Sequence, residues 1–145
     1  MNQLLTWLDG NKAYAITLAR VLTGVILIVS GYPKLFIKGI PAMIEIWTNA
    51  HLFAAPVLGT LVPLLEFFGG IGILLGLFSR LLSFWVIVQF LLLSVYVVPV
   101  LFGAGWVGGA RITVVMVVLG ILIATNGPGP LSVGRKLFKN LRWAE

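Results

Sequence analysis

Four long apolar stretches constrain this chain more than any other feature of its sequence. They cover residues 13–31, 55–78, 81–102 and 106–125. As helices rising about 1.5 Å per residue, stretches of this length cross roughly 30 Å of hydrocarbon. Lipid offers the backbone no hydrogen-bond partners, so each stretch must be helical. The sequence therefore predicts an all-α polytopic membrane protein, a four-helix transmembrane bundle forming one domain over residues 1–145.

The composition excludes an ordinary soluble domain and several kinds of chemistry. Hydrophobic residues make up 60% of the chain and charged residues 10%, against about 25% charged in soluble domains. With no cysteine and one histidine, the chain has no disulfide, no thiolate ligand and no His-based metal site, so we expect no bound metal. No motif for hydrolysis, phosphoryl transfer or dinucleotide binding is present. Whether the protein is an enzyme stays open at this stage.

The connections between the apolar stretches carry their own signals. The longest one, residues 32–54, has apolar residues at helical spacing after Pro41, which predicts a short interfacial helix; an irregular loop is the alternative. The pair Ser79-Arg80 predicts a tight turn between the second and third spans, which would form an antiparallel hairpin. Pro99 predicts a kink near the end of the third span. Residues 131–145 mix basic and apolar residues, which predicts a basic amphipathic tail.

The basic residues predict an orientation. If the N-terminus is cytoplasmic, six of them lie inside and three outside, which the positive-inside rule favours. The inside set is Lys12, Arg80, Arg135, Lys136, Lys139 and Arg142, and the outside set is Lys34, Lys38 and Arg111. Both termini are therefore expected to be cytoplasmic. The net charge of +6 follows from this topology and from contact with anionic lipid, so nucleic acid is not an expected partner.

Arg20 and Glu66 are the two costly residues, because each interrupts an apolar span. A charge at the centre of a span costs roughly 2.5–3.5 kcal/mol and usually has a partner. Their estimated depths are similar, so we predict a buried Arg20–Glu66 ion pair. The pair is either a lock between the first two helices or part of a polar pocket for a ligand headgroup or for protons.

The residues around that predicted pair form the candidate ligand pocket. They are small or polar and are placed beside Arg20 or Glu66 on the first two spans: Thr23, Gly24, Ser30, Lys34, Gly69 and Gly70. Lys34 joins this face only if the first helix persists past Pro33. In the third span, Gln89 and Ser94 are predicted to make hydrogen bonds between helices rather than to bind a ligand.

The ordered set of motifs resembles the DoxX family of small four-helix membrane proteins. The resemblance rests on Arg20-Val21-Leu22-Thr23-Gly24, Ser30-Gly31-Tyr32-Pro33-Lys34-Leu35, Glu66-Phe67-Phe68-Gly69-Gly70, Leu75-Gly76-Leu77-Phe78-Ser79-Arg80 and Gly127-Pro128-Gly129 with Ser132. Two positions depart from the family pattern. A histidine often stands where this chain has Ser30, and an acidic residue often opens the last span, where this chain has Arg111.

The resemblance implies a multi-pass protein of a bacterial-type cytoplasmic (inner) membrane. It also implies a membrane subunit or partner of a soluble redox enzyme, and a quinone is a chemically plausible ligand because it dissolves in the bilayer and needs few polar contacts. Two other functions remain open. One is a non-catalytic scaffold or assembly factor, and the other is a small transporter, which would require an oligomer because four spans are few for a pathway.

Overall fold

The computed structural model describes the backbone of residues 2–97 and 111–137, with side chains except those of residues 2–9 and 135. Within these ranges the chain is helical and contains no strand, which confirms the predicted all-α fold. Four predictions fall wholly or partly outside the described residues: the end of the third apolar stretch beyond residue 97, the kink at Pro99, the start of the fourth apolar stretch at residue 106, and the part of the basic tail beyond residue 137.

The chain forms six α-helices over the described residues, two of them continued by π-helical segments. Their bounds are α1 Asn2–Tyr32 continued by Pro33–Lys38, α2 Gly39–Asn49, α3 Ala55–Leu75, α4 Ser79–Leu92 continued by Leu93–Val97, α5 Arg111–Asn126 and α6 Val133–Leu137.

Three helical runs are long and apolar enough to cross a membrane. They are Gly10–Asn49, Ala55–Leu75 and Ser79–Val97, while the described part of α5 is apolar but shorter. Large apolar side chains cover much of the outer surface, such as those of Leu18, Val29 and Leu81. An apolar exterior of this extent is what a bilayer requires and what water does not tolerate. The chain is a multi-pass membrane protein.

Successive long helices run antiparallel. Gly24 of α1 lies against Leu74 of α3, whereas Gly31 lies against Phe67, so α1 and α3 run in opposite directions. One end of the bundle contains residues 76–80 and 126–132 and is called the hairpin end. The opposite end, residues 33–54, is called the α2 end. The helices α4 and α5 also run antiparallel, and α5 returns to the hairpin end.

Glycines bring α1 and α3 into backbone contact. A methyl group added at Gly24 would lie 2.8 Å from the backbone nitrogen of Leu74, and one at Gly31 would lie 2.6 Å from that of Phe67. At Gly70 it would meet the side chains of Leu27 and Ile28. Small residues permit this close approach in lipid, where packing replaces the hydrophobic drive between helices.

The helix α2 occupies the place where a short helix was predicted, and it packs into the bundle. Met43 and Trp47 are buried, and the backbone of Ile44 lies directly against Gly59 of α3. This contact holds α2 against the first half of α3. Whether α2 lies at a membrane surface stays a prediction.

Replacing Gly24 by alanine is expected to destabilise the bundle by about 1–3 kcal/mol, because the new methyl group would overlap the α3 backbone, which cannot move aside easily. Gly10→Ala is the matched control: a methyl group there has nothing within 4 Å, and alanine is the better helix former. Unfolding in mixed detergent micelles measures both. Equal stability of the two variants would contradict the backbone contact.

Candidate functional site

The carboxylate of Glu66 lies inside the bundle and is held by three side chains. Glu66 is 1% exposed. Lys34 Nζ donates to its Oε2 at 2.5 Å, and Ser30 Oγ donates to the same oxygen at 3.2 Å. Gln89 Nε2 donates to Oε1 at 2.5 Å. We call Glu66, Ser30, Lys34 and Gln89 the carboxylate network. It joins α1, its π-helical continuation, α3 and α4 through one side chain.

The continuation of the first helix past Pro33 places Lys34 in this network. A proline inside a continuous helical run removes one backbone hydrogen bond, and the change from α- to π-helical geometry begins at Pro33. The chain passes from α1 into Pro33–Lys38 without unwinding, so Lys34 follows Ser30 by one turn. Lys34 Nζ also donates to Ser30 Oγ at 3.1 Å. Both side chains therefore meet Glu66 from the same face.

The ion pair in the network is asymmetric in its burial. Glu66 is 1% exposed at its side chain, while Lys34 is 28% exposed. A carboxylate removed from water to this extent must be compensated by an opposite charge and by hydrogen bonds. The lysine supplies that charge from a side chain that is itself only partly buried.

The predicted Arg20–Glu66 ion pair is wrong. Arg20 lies at the level of Gly76, at the end of α3, whereas Glu66 lies at the level of Gly31. Ser30, which contacts Glu66, follows Arg20 by ten residues, or roughly 15 Å along the helix. The sequence placed both charges at similar depths, but the register between α1 and α3 separates them by roughly half of the 30 Å hydrocarbon thickness.

Arg20 instead holds the segment that follows α5. It is 3% exposed, and its Nη2 donates to the carbonyl oxygen of Leu131 at 2.6 Å. Ser132 Oγ donates to the Gly76 carbonyl oxygen at 3.1 Å beside it. Arg20 Nε and Nη1 are buried without a partner among the described residues. The carbonyl groups at the C-terminal end of α3 carry negative partial charge, which favours a cation at this place.

The six predicted pocket residues lie in different places, and only two of them contact Glu66. Ser30 and Lys34 reach Glu66. Thr23 is fully buried and its Oγ1 donates to the carbonyl oxygen of Ala19. Gly24 and Gly70 lie where α1 and α3 touch, and a methyl group at either would overlap the facing helix, so their part in a ligand pocket stays a prediction. Gly69 faces Leu82 of α4.

Gln89 is the member of the network that the sequence did not nominate as a site residue. The prediction of hydrogen bonds between helices is confirmed for Gln89, which bonds Glu66, and for Ser94, whose Oγ donates to Thr113 Oγ1 at 2.6 Å. A single amide in a span without any charge was the available signal, since such a group needs a buried partner.

A cavity of about 530 Å³ adjoins the network between α2, α3 and α4. Its wall is almost wholly apolar and includes Trp47, Val62, Trp85, Val88 and Gln89. Two wall residues carry buried polar atoms without a partner among the described residues, Trp85 Nε1 and Gln89 Oε1. The volume lies within the roughly 300–1,000 Å³ typical of small-molecule sites.

No group of three or more His, Cys, Asp or Glu side chains that could hold a metal ion occurs in residues 2–97 and 111–137. The polar chemistry of the described site therefore consists of one carboxylate, one ammonium, one hydroxyl and one amide. Such groups can bind a ligand's carbonyl or hydroxyl and can hold protons.

An antiparallel bundle of apolar helices around a partnered, buried carboxylate defines a multi-pass membrane protein. Comparison with known families adds a more specific identity: a sequence model of the DoxX family matches residues 15–99. The match covers more than half of the chain, and the protein belongs to the DoxX family. No curated protein and no solved structure matches the chain. The matched range contains Arg20 and every member of the carboxylate network, while residues 127–132 follow it.

Lys34→Met is expected to destabilise the protein by about 1–3 kcal/mol. It leaves the Glu66 charge without a counterion, and the cost falls below the 3–5 kcal/mol of a fully buried pair because Lys34 is 28% exposed. Lys38→Met, at an exposed lysine one turn later, is the control and should change stability by less than about 0.5 kcal/mol. Adding Glu66→Gln to Lys34→Met should recover at least about 1 kcal/mol relative to additivity. Unfolding in mixed micelles measures each variant, and a strictly additive pair would rule out the ion pair.

Arg20→Met and Glu66→Gln are expected to be additive within about 0.5 kcal/mol, because the two residues share no partner and lie far apart. The same unfolding measurement on the two single variants and the double variant tests this. A coupling as large as that of Lys34 with Glu66 would restore the original pairing and refute the register described above.

Proposed function

We propose that this protein is the membrane subunit of a quinone-linked redox complex and that the cavity between α2, α3 and α4 receives the quinone. The proposal depends on Gln89, which contacts both the cavity and the buried carboxylate. Its side chain forms part of the cavity wall and also donates to Glu66 Oε1. A molecule in an apolar cavity that opens among membrane helices is thereby one hydrogen bond away from a buried carboxylate.

The wall suits the body of a quinone, and two buried polar atoms suit its oxygens. Trp85 Nε1, a donor, and Gln89 Oε1, an acceptor, are buried behind the cavity surface, so a rotation of each side chain is needed before it can bond a quinone carbonyl or a quinol hydroxyl. The amide orientation follows from the network, because the side that donates to Glu66 leaves the oxygen on the other side. A buried polar atom without a partner costs about 1–3 kcal/mol, which a ligand would recover.

The carboxylate network would hold and relay protons for such a ligand. Reduction of a quinone to a quinol takes up two electrons and two protons. In this proposal the electrons come from a soluble enzyme that docks on the protein. Glu66 and Lys34 would hold the protons and link the site to a side chain that is 28% exposed. The Gln89 amide keeps its own protons and would orient the Glu66 carboxylate.

The distribution of basic residues supports a bacterial-type cytoplasmic membrane with both termini in the cytoplasm. Lys12, Arg80 and Lys136 belong to the parts of the chain that meet at the hairpin end. At the α2 end, the charge of Lys34 is balanced by Glu66. The positive-inside rule counts lysine and arginine residues, and the larger number at the hairpin end favours a cytoplasmic position for that end.

A non-catalytic scaffold is the second candidate, and the completeness of the carboxylate network favours it. Both oxygens of Glu66 accept hydrogen bonds within the protein, as expected of a lock that fixes which helices meet. A scaffold needs no ligand in the cavity, so the two candidates differ in their response to quinone.

Decylubiquinone is expected to stabilise the purified protein in detergent, by about 2.7 kcal/mol at a hundred times its dissociation constant. Val88→Trp should abolish the effect, because the indole would fill the cavity. Val118→Trp on α5 is the control; Val118 and Val88 are 52% and 58% exposed, and Val118 lies away from the cavity. Thermal unfolding measures the shift.

n-Decylbenzene, which has the tail without the carbonyl groups, separates a quinone site from a general apolar site. Stabilisation by decylubiquinone alone supports the proposal. The absence of any shift, or an equal shift in the Val88→Trp variant, would contradict it and leave the scaffold as the better description.

A further inference from the structure

A second cavity, of about 340 Å³, lies at the hairpin end of the bundle. Lys12, Ala13 and Ile16 of α1 line one side, Arg80 of α4 lines another, and the turn of residues 126–130 closes it. The cavity is separate from the carboxylate network. Its volume is near the lower limit of about 300–1,000 Å³ for small-molecule sites, which suits a compact polar group.

The turn that closes this cavity is built around Gly127 and Gly129. Their φ angles are 77° and 78°, a left-handed region in which other residues are strained. A methyl group at Gly127 would lie 3.3 Å from Arg80 Nη2 and 3.4 Å from Arg80 Nε. The guanidinium therefore lies beside the bare backbone of the turn, and its charge is part of the cavity wall.

Contacts behind the turn hold it in place. Gly129 packs closely on Thr17 of α1. The next residues are fixed by Arg20, which donates to the Leu131 carbonyl oxygen at 2.6 Å, and by Ser132 Oγ, which donates to the Gly76 carbonyl oxygen at 3.1 Å. Arg20 thus positions the turn and adds a buried positive charge behind it.

The charge around the cavity is positive and is not balanced by the described side chains. Lys12 and Arg80 approach from two different helices, and no acidic side chain among residues 10–97 and 111–137 contributes to the wall. Neither cation has a salt-bridge partner among the described side chains, and buried Arg20 contacts only a carbonyl oxygen there. Cations that converge on a partly enclosed space raise the local concentration of anions.

We propose that this cavity binds a phosphate group. A planar guanidinium matches two phosphate oxygens at once, and a lysine adds a compact charge. The cavity lies at the end of the spans, where lipid headgroups are found, and exposed apolar residues such as Leu18 and Leu81 continue along the same two helices. The phosphate belongs either to an anionic glycerophospholipid, whose chains would follow these residues, or to free phosphate.

Native mass spectrometry of the full-length protein in neutral detergent tests the proposal with three probes: phosphatidylglycerol, diacylglycerol, which has no phosphate, and inorganic phosphate. Wild-type protein should retain phosphatidylglycerol and not diacylglycerol. Lys12→Gln and Arg80→Gln should each weaken binding roughly fivefold, and the double variant roughly 25-fold. Arg80→Lys should fall between wild type and Arg80→Gln, because it keeps the charge but not the planar fork.

The double variant Lys38→Gln/Lys136→Gln is the matched control. It removes the same net charge at two exposed lysines outside the cavity wall, and it should bind within about twofold of wild type. Equal losses in the two double variants would overturn the proposal in favour of general electrostatic attraction. All four substituted lysine and arginine positions are exposed, so folding should be unchanged, as circular dichroism will report.

Displacement of phosphatidylglycerol by millimolar inorganic phosphate would identify free phosphate as the source, and its persistence would identify the lipid. Failure of both probes to bind, or equal retention of diacylglycerol, would refute a phosphate site. Because this cavity and the quinone cavity lie at opposite ends of the bundle, failure of one proposal leaves the other unaffected.

Discussion

The buried carboxylate of Glu66 is the constraint on which the arrangement of the helices depends. A charge in the interior of a membrane bundle must find its partners within the protein, because neither lipid nor bulk water supplies them. Glu66 obtains them from Ser30, Lys34 and Gln89, which lie on three separate segments. These three contacts require the observed register between α1 and α3. They also require a helix that continues through Pro33 and an α4 whose Gln89 side faces α3.

The fold was largely predictable because the bilayer reduces the choices open to an apolar sequence. Long apolar runs must be helices, and the short connection at Ser79-Arg80 allows only antiparallel neighbours. The short helix after the first span was also indicated by its spacing. The sequence did not indicate that Trp47 is buried or that Ile44 contacts Gly59. Helical periodicity identifies an apolar face without specifying what covers it.

Three of the four residues of the carboxylate network, Ser30, Lys34 and Glu66, were predictable as site residues, but their pairing was not. Arg20, Glu66 and Lys34 attracted attention because charge is costly in lipid. Which of them meet depends on the axial register of two helices, and that register is set by close contacts at Gly24 and Gly31. Depth estimates from the ends of apolar runs carry errors of several residues, which is enough to exchange one partner for another. Only the three-dimensional packing could assign Glu66 to Lys34.

The hydrogen bond from Arg20 to Leu131 spans 111 residues of sequence, and this separation has a consequence for biosynthesis. The first helix enters the membrane long before the ribosome has made its carbonyl partner. Throughout synthesis of the intervening helices, the guanidinium must remain hydrated or in contact with the insertion machinery. Its final burial can therefore occur only after the last long helix is in place, so docking of the C-terminal segment completes assembly.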